Sequence, residues 1–173
     1  MAFARQKAFP LFISLALAGI LVWRVAPYLK VNNVQPGDRA PGFELTADTG
    51  MGVSLDDYRG KYVLLNFWAT WCAPCVQEVP SLNQLHQELN NDGLVVLAVS
   101  VDSQQDSYSA FLERFGVSFP TARDPDMKIP SLYGTNRYPE TYLIDPEGYV
   151  LRKYVGAENW MRPEIVNYLR SLL

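Results

Sequence analysis

Apolar residues follow two different periods in the central part of the chain. Residues 62–68 are β-branched, aromatic or aliphatic at almost every position, which predicts a strand. Residues 94–101 form a nearly continuous apolar run, which is typical of a strand buried on both faces. Between them, apolar residues recur every three or four positions, as on one face of a helix. These residues are Val76, Val79, Leu82, Leu85 and Leu89.

The flanking segments predict further strands and helices. Short strands are predicted at 43–45, 53–55 and 119–121, longer ones at 141–144 and 149–155, and helices at 104–115 and 160–173, with 124–133 irregular. Turn residues at 48–50 and 145–148 would close two hairpins. Strands that alternate with helices and end in a hairpin and a helix indicate an α/β fold with a mixed central sheet flanked by helices.

The N-terminal part of the chain predicts a membrane segment. Residues 8–29 are apolar except for a few positions such as Arg24, and as a helix they are long enough to cross a hydrocarbon core of about 30 Å. Arg5 and Lys7 precede this stretch, so the N-terminus is expected to stay cytoplasmic and the remainder to be exported. A cleaved signal peptide ending near 16–18 and a buried helix are the alternatives. We predict a signal-anchor or transmembrane helix at 1–30, a linker at 31–41 and a domain at 42–173.

The charge and the motif content exclude several classes of protein. The chain has 173 residues, 49% of them apolar, and a net charge of −3. Its first 30 residues contain no acidic side chain, so the negative charge is concentrated in the rest of the chain. That distribution argues against binding to nucleic acid. The sequence also lacks a phosphate-binding P-loop and a dinucleotide fingerprint.

Cys72 and Cys75 are the two cysteines of the chain, and they lie where strand 62–68 runs into the following helix. A helix N-terminus favours an anion and therefore a thiolate. A disulfide that closes so short a loop adds little stability, and structural zinc needs four ligands where the chain has two cysteines and one histidine, His86. Thiol–disulfide exchange is thus favoured over an inert disulfide or a metal site.

Residues 66–75, NFWATWCAPC, resemble the active site of thioredoxin-fold proteins. Pro41-Gly42-Phe43, residues 55–61, Glu78-Val79-Pro80 and Tyr138-Pro139-Glu140-Thr141 extend the match, and residues 36–173 together resemble the membrane-anchored TlpA, ResA and CcmG types. The resemblance implies a thioredoxin-like fold and a protein-disulfide reductase that needs no cofactor beyond a redox-active Cys72–Cys75 disulfide. It also implies disulfide-containing clients such as apocytochrome c or copper-site assembly proteins, and a membrane-embedded electron donor. The expected location is the bacterial cytoplasmic membrane, held through residues 8–29, with the catalytic domain in the periplasm.

The resemblance also assigns three catalytic residues. Cys72 is the expected nucleophile, partly exposed, and Cys75 is the more buried thiol that resolves the mixed disulfide. Glu78 matches a buried family carboxyl that relays protons, with a solvated helix charge as its alternative. Asn66 stands where cytoplasmic thioredoxins carry a buried Asp; because an amide does not titrate, Glu78 is the candidate for proton transfer.

Three further residues are assigned to substrate binding. Pro139 matches the family's cis-proline, which would present the backbone of Tyr138 to a client chain for strand-like pairing. An edge-strand proline that only prevents pairing is the alternative. Trp71 is expected to shield the thiols and to contact partners. Glu140 is either part of the substrate groove or a solvated charge.

Three rival functions share part of this pattern. Oxidation or isomerisation of disulfides in exported proteins uses the same chemistry, but strongly oxidising members usually carry a His where Ala73 and Pro74 lie between the cysteines. A thiol peroxidase of the peroxiredoxin type has its Thr three residues before the reactive cysteine, whereas Thr70 is two before Cys72. A copper-binding adaptor would need a wider cysteine spacing and a nearby His.

Overall fold

The computed structural model describes residues 33–46, 50 and 52–173. The predicted membrane segment, the first two residues of the predicted linker and most of the predicted turn at 48–50 lie outside these residues. Within the described part of the chain, no helix has both the length and the apolar character needed to cross a membrane. Residues Asn33–Leu173 form one compact unit.

The strands form a small hairpin and a central mixed sheet. Their bounds are β1 Glu44–Thr46, β2 Gly52–Ser54, β3 Tyr62–Trp68, β4 Leu94–Ser100, β5 Thr121–Arg123, β6 Glu140–Ile144 and β7 Val150–Val155. In the described residues the central sheet has the order β5-β4-β3-β6-β7. Strands β3, β4 and β5 run parallel, whereas β6 is antiparallel to both β3 and β7. The mixed sheet predicted from the sequence is therefore confirmed, and β3 lies at its centre.

Helices cover the sheet at α1 Ala73–Leu89, α2 Gln105–Phe115, α3 Lys128–Tyr133 and α4 Pro163–Arg170. The prediction of irregular structure at 124–133 was wrong for its second half, where α3 forms. Pro130 lies in the first turn of this helix, where a missing N–H is tolerated. The carboxylate of Asp124 accepts the N–H of Ile129 at 2.6 Å and so caps the helix start. The predicted strand at 119–121 lies two residues further on, at β5.

Two apolar cores lie on the two faces of the sheet. The larger contains the inward faces of α1 and α4 together with Trp68 and Trp160, and the smaller contains Phe67, Tyr133 and Tyr142. All seven positions of β4 are buried, as its continuous apolar run predicted. Neighbouring residues of β3 point to opposite cores, which explains why this strand shows no polar alternation.

The segment at 33–41, which the sequence indicates as a linker, packs on the domain. The N–H of Val34 donates to the carbonyl of Tyr133 at 3.1 Å, and the N–H of Ala40 donates to that of Gly148 at 2.9 Å. Both Val34 and Ala40 are buried in the smaller core. The Pro and Gly residues of this segment mark turns, but its apolar positions are used in packing.

Candidate active site

The β3–α1 junction places the cysteine pair at the start of a helix. Cys72 is the N-cap of α1, and its sulfur accepts a hydrogen bond from the N–H of Cys75 at 3.3 Å. Its carbonyl accepts the N–H of Val76 at 3.0 Å, which is the first bond of the helix. Pro74 lies in the first turn, where its missing N–H costs nothing. Cys72 and Cys75 are joined by a disulfide.

The two cysteines differ in accessibility. Cys72 keeps 6% of its surface exposed and Cys75 none. The more accessible cysteine is Cys72, as expected for the nucleophile, and the fully buried one is Cys75, as expected for the resolving thiol. Cys72 is nevertheless more buried than the sequence led us to expect. In the disulfide form it belongs to the larger apolar core, with the partly buried Tyr138 packed against that core.

Glu78 is buried one turn beyond Cys75 on the same helix, with 2% of its surface exposed. One carboxylate oxygen accepts the side-chain N–H of Asn66 at 2.8 Å. The other accepts the backbone N–H of Glu158 at 3.2 Å and the indole N–H of Trp160 at 3.3 Å. The alternative of a solvated helix charge is therefore wrong, because this carboxyl has protein donors on both oxygens.

Burial sets the protonation of this carboxyl. The pKa of Glu78 is raised from 4.5 to about 7, chiefly by loss of hydration and to a smaller extent by the Glu158 carboxylate, which together outweigh the lowering by the three N–H donors. The group is therefore close to half ionised at neutral pH. Glu78 also lines a groove of about 430 Å³ together with Ser81 and Glu158.

Asn66 connects this carboxyl to the sheet. It is 2% exposed and lies opposite Thr141 in the β3–β6 register. Its amide donates to Glu78 and also to the hydroxyl of Thr141, each at 2.8 Å. An amide is suited to this place because it supplies two donors at once and stays neutral. Because an amide does not titrate, the ionisable group of this pair is Glu78.

The residues assigned to substrate binding lie around the disulfide. Trp71 is 66% exposed, and its ring meets that of Tyr138 edge-on at 6.1 Å between centroids. The Tyr138–Pro139 bond is cis, as the resemblance implied. The carbonyl of Pro139 accepts the N–H of Gly156 at 2.9 Å, while no backbone–backbone hydrogen bond among the described residues involves Tyr138.

Glu140, directly after this proline, is neither solvated nor part of an open groove. It is 4% exposed and accepts hydrogen bonds from the hydroxyls of Thr135, at 2.6 Å, and Tyr142. The ammonium of Lys153 on β7 lies 3.2 Å from the same oxygen, and 13% of that side chain is exposed. Both sequence interpretations of Glu140 were wrong, because folding brings the hydroxyls of Thr135 and Tyr142 and the ammonium of Lys153 onto one of its oxygens.

Sequence reasoning missed two residues that shape the site, Trp160 and Asp102. Trp160 gave no local signal, since its role depends on α1 packing against the segment before α4. Asp102 follows β4, and the carboxyl ends of neighbouring parallel strands meet at one sheet edge, so this position carried a usable signal.

His86 takes no part in this site. It lies near the end of α1 with its ring edge-on to Phe119 at 6.4 Å between centroids, and burial lowers its pKa. Across residues 33–46, 50 and 52–173, no group of His, Cys, Asp or Glu side chains is arranged to hold a metal ion.

The sheet order, the cysteine pair at the start of α1 and the cis-proline beside it define a thioredoxin-fold protein. A family model described as the AhpC/TSA family matches residues 36–153. Thiol-disulfide oxidoreductase ResA of Geobacillus kaustophilus is 39% identical over 139 residues, which cover 80% of this chain and 79% of that protein. ResA of Bacillus anthracis is 34% identical over the same coverage.

Solved structures agree. A Chlorobium tepidum protein assigned as the thiol:disulfide interchange protein DsbE superposes with a TM-score of 0.71 at 37% identity, covering 81% of this chain and 96% of that one. A thiol:disulfide interchange protein from Bacteroides sp. reaches 0.69 at 26% identity, covering 80% and 90%. The chain belongs to the AhpC/TSA family of thioredoxin-fold proteins and is a thiol–disulfide oxidoreductase.

Proposed function

We propose that this chain is an extracytoplasmic, membrane-tethered oxidoreductase that reduces disulfides in client proteins. The observation that carries the proposal is the buried Glu78 carboxyl, one turn after Cys75 on α1. Its pKa of about 7 lets it accept and return a proton near neutral pH, which is the condition for efficient general acid–base catalysis. A dithiol that is oxidised must release protons, and Glu78 is the buried carboxyl of the same helix that would take one.

The proposed reaction has two exchange steps. The Cys72 thiolate attacks a client disulfide, which forms a Cys72–client disulfide and releases one client sulfur as a thiolate. The Cys75 thiol then transfers its proton to Glu78 and attacks the Cys72 sulfur. This forms the Cys72–Cys75 disulfide and releases the second client sulfur. Two electrons pass to the client, and the enzyme ends in the disulfide form that the structure contains.

The setting of the reaction is part of the proposal. Residues 8–29 would hold the domain at the outer face of the bacterial cytoplasmic membrane, where a membrane-embedded donor re-reduces it. The proposed clients are apocytochrome c awaiting haem or proteins that assemble copper sites. The apolar stretch with preceding Arg5 and Lys7, and the resemblance to TlpA, ResA and CcmG types, support this setting.

The direction of electron flow is tested by the reduction potential. A reductant is expected near the value of thioredoxin, about −270 mV, and a folding oxidant near that of DsbA, about −120 mV. Ala73 and Pro74 between the cysteines, without a His, favour the reducing value.

Trapping identifies the client. In the full chain, Cys75→Ser removes the resolving thiol, so a client attacked by Cys72 stays attached as a mixed disulfide that thiol reagents release. Cys72→Ser is the matched control and should capture none. Mass spectrometry of the released proteins is expected to find apocytochrome c or copper-site proteins. Equal capture by both variants, or none by Cys75→Ser in exporting cells, would contradict the proposal.

A further inference from the structure

The segment that carries Cys72 is tied to the neighbouring strand by one buried carboxylate. Residues 69–71 connect β3 to Cys72, and Thr70 is the residue in the middle of this connection. One oxygen of Asp102 accepts the hydroxyl of Thr70 at 2.6 Å, and the other accepts its backbone N–H at 2.9 Å. Both donors of one residue therefore meet both oxygens of one carboxylate, which holds the connection in a single orientation.

Asp102 is itself firmly held. It is 3% exposed, and its carboxylate also accepts the hydroxyl of Ser100 at 2.5 Å. Its own N–H donates back to the Ser100 oxygen at 3.0 Å, and its carbonyl accepts from the guanidinium of Arg123 at 3.0 Å. These bonds fix Asp102 to the ends of β4 and β5. Its hydrogen bonds to Thr70 therefore hold residues 69–71 in a fixed position relative to this edge of the sheet.

We propose that Asp102 is a positioning residue for thiol–disulfide exchange and acts through Thr70. By fixing Thr70, it sets the place of the next two residues, the exposed Trp71 and the nucleophile Cys72. Sulfur exchange needs the attacking and attacked atoms to be aligned, and a misplacement of about 1 Å can cost about 100-fold in rate. This inference rests on the proposed reaction and names a residue that none of the preceding steps uses.

The test uses the reduced full chain with oxidised glutathione as the disulfide probe. Asp102→Ala removes both oxygens that accept hydrogen bonds from Thr70. We expect its second-order rate to fall about 100-fold. Thr70→Val removes only the hydroxyl and should lose about tenfold, while Thr70→Ser, which keeps the hydroxyl, should recover the rate. Asp106→Asn, an exposed carboxylate on α2, is the control and should retain the rate of the unaltered chain.

Two readouts separate positioning from a general loss of stability. The double variant Asp102→Ala/Thr70→Val should be no slower than Asp102→Ala alone, because both changes break the same contact. The pH profile of Cys72 alkylation by iodoacetamide should shift in Asp102→Ala at temperatures where the protein stays folded. Additive losses, an unchanged profile, or a Thr70→Val rate equal to that of Thr70→Ser would overturn the inference. An unaltered chain that reduces no disulfide would instead refute the proposed function.

Discussion

Because the Glu78 carboxyl is buried, we expect the unfolding free energy to depend on pH in a way that can be measured without any client protein. Replacement of Glu78 by Gln removes a group that ionises while keeping nearly the same volume. The amide oxygen can accept the N–H donors of Glu158 and Trp160, and the amide nitrogen then faces the side-chain amide of Asn66. Any change in hydrogen bonding is the same at every pH, whereas relief from charge burial applies only where the carboxyl of the unaltered chain would ionise.

The magnitude follows from the pKa of Glu78, which is raised from 4.5 to about 7. At 1.36 kcal/mol per pH unit, that interval corresponds to about 3 kcal/mol of unfolding free energy. Below pH 4.5 the carboxyl is protonated in both states and the folded form has its full stability from this site. As pH rises from 4.5 through the folded-state pKa of about 7, Glu78 ionises in the unfolded chain before it ionises in the folded chain. The stability that this site contributes at low pH is therefore lost.

The assay is urea unfolding of the disulfide form, in which the cysteines do not titrate. We expect the unfolding free energy of Glu78→Gln, relative to the unaltered chain, to rise by about 3 kcal/mol between pH 4.5 and pH values above 7. Glu88→Gln on the same helix is the matched control, since Glu88 is accessible and pairs with Arg170 at 3.1 Å. A difference between Glu78→Gln and the unaltered chain that stays constant across this range would refute the reasoning.

Two further predictions concern the partners of buried carboxyls. Trp160→Phe removes one N–H donor that lowers the pKa of Glu78, so that pKa should rise above about 7 in a carboxyl NMR titration. Lys153→Met leaves Glu140 buried without its cation and should lower the unfolding free energy by about 3–5 kcal/mol, as measured in urea at neutral pH.

Each of these has its own control. Tyr154→Phe, next to Trp160 with rings 5.2 Å apart, changes the packing there without removing a donor to Glu78. An equal pKa in Trp160→Phe and in the unaltered chain would show that this indole does not affect the carboxyl. Lys128→Met breaks only the exposed pair with Asp126 and should leave the unfolding free energy unchanged. If Lys153→Met lost no more unfolding free energy than Lys128→Met, the Lys153–Glu140 pair would not be important for stability.

Local sequence patterns predicted much of the fold, because the central strands are almost entirely apolar and the following helix has apolar residues at helical spacing. The apolar runs at 62–68 and 94–101 became β3 and β4, and the period of three and four became α1. The prediction of irregular structure at 124–133 failed at α3, which includes Pro130. A proline is compatible with the first turn of a helix, and the Asp124 cap is formed only once β5 and α3 have folded together.

The cysteine pair and its place at a helix start followed from the sequence alone, because spacing and periodicity are properties of neighbouring residues. Tertiary structure decided the chemistry around that pair. The pKa of Glu78 is raised only when the folded chain buries this carboxyl. Likewise, Glu140 meets Lys153 of the next strand, and Asp102 after β4 accepts from Thr70 after β3. A local pattern shows that a carboxyl is present, but its charge and its partners depend on which distant segments remove water from it.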